Sequence, residues 1–174
     1  MNMQWMLLRN LKYHFNIWTF NINRQKYIIL FIIIILVIKL RTFYIFKIND
    51  NKAKVYHKNT KLLYQILESI NNIDSNDISF AFNLFKEIVS PYNKNNINEY
   101  IYNNYKKDIS YVINKNTYII DNNEFTKIIV NKSNIKVITN KNNPIIFKYF
   151  KNYINNLFVC DFKNKDYFWL ELLN

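Results

Sequence analysis

Few side chains in this chain have the type and spacing that chemistry requires. His14 and His57 are the only histidines, and Cys160 is the only cysteine. A nucleophile needs a base within hydrogen-bond reach. Nothing in the spacing brings His57 to Cys160, and the segment Leu157-Phe158-Val159-Cys160-Asp161-Phe162 reads as a buried apolar strand around an inert thiol. One cysteine also rules out an internal disulfide. No His or Cys pair has metal-ligand spacing, and no HExxH occurs. Asp74 and Asp77 suit helix capping better than acid–base work, and Asp161 and Asp166 flank a turn. The expectation is a protein with no catalytic residues, no cofactor and no metal.

Glycine is absent from all 174 residues. That excludes the phosphate-cradling P-loop, the dinucleotide fingerprint and the nucleophile elbow, each of which needs glycine where backbone meets ligand or turns sharply. What remains is binding chemistry. Aromatic residues interleave with lysine in Phe147-Lys148-Tyr149-Phe150-Lys151 and again from Tyr102 to Lys107. Such mixtures stack on bases and contact phosphates, although at helical spacing they also build cores.

The elements that would position these residues begin with an apolar run. Tyr27 to Leu40 reads YIILFIIIILVIKL, bracketed by Arg24 and Lys26 before it and by Lys39 and Arg41 around its end. Fourteen residues of helix reach about 21 Å, short of the ~30 Å hydrocarbon core. The run reaches full length only by including Arg41 to Phe46, with Lys39 and Arg41 snorkelling to the headgroups. This predicts a transmembrane helix over 27–46, with Tyr27, Ile33, Ile34, Ile38 and Phe46 in the span and Arg24, Lys26, Lys39 and Arg41 at the interfaces. A buried strand or core helix is the competing reading of the same β-branched run. A signal peptide is disfavoured because no small-residue cleavage site follows.

Residues 1–26 form a basic arm and 47–59 a polar linker. The tail, 60–174, reads as α+β. Leu62, Leu63, Ile66, Leu67, Ile70 and Ile73 repeat at helical spacing, and Ile78, Phe82, Phe85, Ile88 and Val89 continue a second helix that Pro91 ends. A weaker helix covers Ile97 to Lys107, and Pro144 opens another over Ile145 to Asn156. Alternating segments predict hairpins at Ile109–Ile113 with Thr117–Ile120, at Phe125–Val130 with Ile135–Thr139, and at Phe158–Phe162 with Tyr167–Leu173. Without glycine, any residue at positive φ must be Asn or Asp. The predicted fold class is α+β, a single N-terminal transmembrane helix followed by a small domain of helices and antiparallel hairpins.

Asn, Ile, Lys, Tyr and Phe fill 110 of the 174 positions. Their codons are built from A and T, so this bias reports the genome. In composition the chain resembles the lineage-specific reading frames of AT-rich protist mitochondrial genomes of the ciliate type. That resemblance implies a structural subunit of a respiratory complex or of ATP synthase, in the mitochondrial inner membrane with the tail in the matrix. Its partners would be other protein subunits of a large complex and membrane lipid. The alternative is a mitochondrial ribosomal protein in the matrix, contacting rRNA through Lys and aromatic surfaces. The formal net charge of +12 suits lipid and RNA phosphate equally.

Overall fold

Leu40–Asn174 forms a compact unit of its own. A computed structural model describes residues 40–173 apart from 74–77, 107–108, 114–115 and 122. Tyr27, Ile33, Ile34, Ile38, Arg24, Lys26, Lys39 and His14 lie outside the described residues, as do the predicted capping residues Asp74 and Asp77.

The first described element overturns the transmembrane reading at its C-terminal end. Arg41–Ile48 is strand β1, so the last six residues of the predicted span, Arg41 to Phe46, are laddered in a sheet. Among the described residues no helix is long and apolar enough to cross a membrane. The predicted fold class, a membrane helix followed by a small domain, is therefore corrected to an α+β domain built on one antiparallel sheet. The physical reason lies in β1 itself. Phe43 and Ile45 enter one hydrophobic cluster, while Phe46 and Ile48 enter another. A strand buried on both faces loses the alternation that marks a half-exposed one and reads as a continuous apolar run.

The segment read as a linker, 47–59, holds the end of β1 and helix α1, Asp50–Tyr56. Asn49 caps α1 by accepting from the Asn51 N–H at 3.1 Å. Helix α2 spans Thr60–Asn71 and α3 spans Ile78–Ile88. A two-residue strand β2, Val89–Ser90, pairs with the end of β1 before Pro91. Helix α4 is Lys94–Tyr105, capped by Asn93. Strands β3 (Ile109–Ile113), β4 (Thr117–Asp121), β5 (Phe125–Val130) and β6 (Ile135–Thr139) follow as an antiparallel meander. Helix α5, Ile145–Tyr153, leads to the hairpin β7 (Leu157–Asp161) and β8 (Asp166–Trp169), then a 3-10 turn at Leu170–Leu172.

The sheet order is β3-β4-β5-β6-β1-β7-β8, with β2 added to β1. The first strand of the domain is thus central, antiparallel to both β6 and β7. The connection through α5 crosses over it. One face carries Phe43, Ile45, Ile128, Val130, Val137 and Val159, packed with Ile97 and Ile101 of α4 and Ile146, Phe147 and Phe150 of α5. The other carries Phe46, Ile48, Phe158, Cys160 and Trp169 under Ala53 of α1, Leu63, Tyr64 and Leu67 of α2, and Ile88 of α3. The two helical layers therefore lie on opposite faces of β1 and β7. Among the described residues two adopt positive φ, Asn156 (56°) and Lys165 (54°). Asn156 matches the asparagine rule; Lys165, in the β7–β8 turn, departs from it.

Candidate protein-contact surface

The residues that could have done chemistry are placed where they hold the fold. Cys160 is fully buried, and burial, with the charge of Glu68 adding to it, pushes its thiol well above the usual range. A thiol held neutral is a poor nucleophile. His57 ends α1, where its ring stacks on Trp169 with centroids 3.9 Å apart, and its Nε2 lies 3.0 Å from Glu171 Oε1. Among the described residues no group of three His, Cys, Asp or Glu could hold a metal ion.

Arg41 is not an interfacial cation. Its Nε donates to Asp161 Oδ2 at 2.8 Å, its Nη2 to Asp166 Oδ2 at 2.7 Å and its Nη1 to Asn142 Oδ1 at 3.2 Å. Burial works against the charge, but the hydrogen bonds and charges of Asp166 and Asp161 outweigh it and hold the guanidinium above its ordinary value. Asp161, fully buried, also accepts from the backbone N–H and side-chain amide of Asn164, which shapes the β7–β8 turn. Phe46 is a core residue, 5% exposed, with its ring against Phe85 and Phe162. The aromatic–lysine segments divide likewise. Phe147 and Phe150 face the core, whereas Tyr102 is exposed.

What the described surface offers instead is apolar area on the α1–α3 layer. Phe80 is 72% exposed, Phe82 54%, Val55 59% and Leu62 47%. Helix α3 buries Ala81 and Ile88 against the sheet, and its helical period leaves Phe80 and Phe82 on flanks that point outward. Sequence periodicity assigns Phe82 to the core because it falls at i+4 from Ile78, but the narrow buried stripe of α3 excludes it. Scattered single apolar residues are ordinary on a surface. Phe80 and Phe82, two residues apart, project from different flanks of α3, and with Leu62 and Val55 they give the α1–α3 layer several large exposed apolar side chains that could serve as contact anchors. The same layer carries lysines: Lys54, Lys58 and Lys61 lie on the exposed surface of α1, α2 and the turn between them, and the Lys86 ammonium rests 4.0 Å from the centroid of the Phe82 ring. The signal available in sequence was the spacing of Phe80 and Phe82, which cannot share one buried stripe.

The described residues thus define a small α+β domain, with a sheet sandwiched between helical layers and exposed apolar side chains on one of them. Residues 41–174 match the family SirA, described as sporulation inhibitor of replication protein SirA, and the chain belongs to that family. No curated protein matches the chain. Family membership corrects the functional reading: the chain is neither a respiratory-chain or ATP synthase subunit nor, as in the alternative, a mitochondrial ribosomal protein. The inner-membrane location with a matrix tail, and the alternative on a matrix ribosome, are corrected with it. The match begins at Arg41, after the apolar run that had carried the membrane reading.

Proposed function

We propose that this chain inhibits replication in sporulating cells by binding a protein of the replication machinery, without catalysis, through the outer face of the α1–α3 layer. The observation that carries this reading is the exposure of Phe80 and Phe82 on the layer that also exposes Val55 and Leu62. Burying a phenylalanine contributes about 1.5–3 kcal/mol, and interface energy concentrates in a few such aromatic anchors. The exposed lysines of the same layer favour a partner whose apolar face carries carboxylates. An inhibitor of this kind works by occupying a surface its target needs, so it requires neither cofactor nor nucleophile.

Site-specific photo-cross-linking tests this in cells that sporulate. A photoreactive phenylalanine analogue at position 82 should trap a replication protein, and the same analogue at Tyr102, on the opposite layer, should not. Adducts from position 102 alone would place the contact on the wrong face and reject the assignment.

A further inference from the structure

The α4–α5 layer presents a different surface. There the two helices that carry the aromatic–lysine segments meet, just outside those segments. Tyr100 of α4 stacks on Tyr153 of α5, centroids 3.7 Å apart and planes 6° from parallel, and the Tyr100 hydroxyl donates to the Tyr149 carbonyl at 3.0 Å. Tyr153 remains 42% exposed, so one ring face is fixed and much of the ring is open. It borders a cleft of about 420 Å³ that Lys47, Asn93, Asn96 and Asn155 also line. On the other flank of α5 a cleft of about 590 Å³ is lined by Asn143, Lys148 and Asn152, among others. Both volumes fall within the roughly 300–1,000 Å³ of ligand pockets.

The charges around these clefts are unequal. Asp50, in the first, is held by the Asn156 amide at 2.7 Å. Glu124, in the second, accepts from the Thr126 hydroxyl and from the Ile145 N–H at the start of α5. Lys151 donates to the Leu173 carbonyl at 2.6 Å. Lys47 and Lys148 have no carboxylate partner among the described residues. The result is a braced, half-open tyrosine ring at the border of one cleft, with a second, more apolar cleft on the same helix, and a lysine without a carboxylate partner in each.

We propose that this face binds single-stranded DNA, one base stacking on Tyr153 and the flanking phosphates meeting Lys47 and Lys148. Stacking on an aromatic ring needs a base that is already unpaired, and it tolerates any sequence because every base has a π-face. The asparagine amides lining the clefts offer both donors and acceptors to base edges. The choice of DNA over RNA rests on the replication reading above. The site itself is on the opposite helical layer from the proposed protein contact, so separate variants distinguish failure of one from failure of the other.

Fluorescence anisotropy with a labelled oligothymidylate of about 16 nucleotides, using the full chain at low salt, decides the matter. Tyr153→Leu should weaken binding about tenfold and Tyr153→Trp should restore it. The Lys47→Gln/Lys148→Gln double variant should flatten the log–log salt dependence by about 0.7 for each phosphate that is no longer neutralised. Phe80→Ser/Phe82→Ser should bind the oligonucleotide like the wild type. Wild-type affinity in folded Tyr153→Leu, tighter binding of duplex DNA, or tighter binding of oligouridylate would each overturn the proposal.

Discussion

Arg41 ties the central strand to the β7–β8 turn by satisfying two carboxylates, one of them fully buried. Arg41→Ala would leave the Asp161 charge without its cation and should cost about 3–5 kcal/mol, read as a lower urea midpoint at unchanged slope. The pair was not legible in sequence because its members stand 120 residues apart, and a basic residue beside an apolar run fits a membrane interface equally well. Lys165 holds a left-handed backbone conformation that disfavours a β-carbon by about 1–2 kcal/mol. Lys165→Asn should therefore raise stability by up to about 1 kcal/mol, measured by the same titration. Burial also raises the Cys160 thiol and the hydroxyls of Tyr92, Tyr100 and Tyr118 above their ordinary values. The folded state thus holds these protons more tightly than the unfolded chain. Their contribution to stability is complete below the unfolded thiol value near 8.5 and is lost as pH rises toward the folded values. The urea midpoint should fall between pH 8 and pH 10; a flat profile would show that the groups are not buried in solution.

At the scale of the element, the hairpins were readable because β5 and β6 each alternate buried and half-exposed residues, a period-2 pattern that physics ties to a one-sided strand. Strand β1 was not, since burial on both faces erases that pattern. Helices show the same limit. Ile88 of α3 is buried as its spacing predicts, yet Phe82, on the same reading, is more than half exposed. Phe46→Ala should cost about 3–5 kcal/mol, while Phe82→Ala should change stability by no more than about 0.5 kcal/mol. Comparable losses from both would show that α3 packs differently. Helix α5 begins at Pro144, whose side chain cannot cap it, and Glu124 supplies the missing acceptor to the Ile145 N–H at 3.2 Å. Glu124→Ala should destabilise by about 0.5–2 kcal/mol, and Glu124→Gln by less, because a neutral acceptor keeps the bond but not the attraction to the helix dipole.

For the whole molecule, the antiparallel sheet separates two helical layers of different chemistry. The α1–α3 layer exposes phenylalanines, and the α4–α5 layer exposes tyrosine, asparagine and unpaired lysine. Composition could not anticipate this division, because Asn, Lys and Ile recur along the whole sequence and so occur in both layers. Inhibition carried by contact through Phe80 and Phe82, as proposed above, is read from the ratio of origin to terminus DNA in cells expressing the chain. Wild-type protein should lower that ratio as new rounds of replication stop. A Phe80→Ser/Phe82→Ser variant that accumulates and unfolds at the wild-type midpoint should leave the ratio at its uninhibited value. A folded double variant that lowers the ratio as far as the wild type would contradict the account.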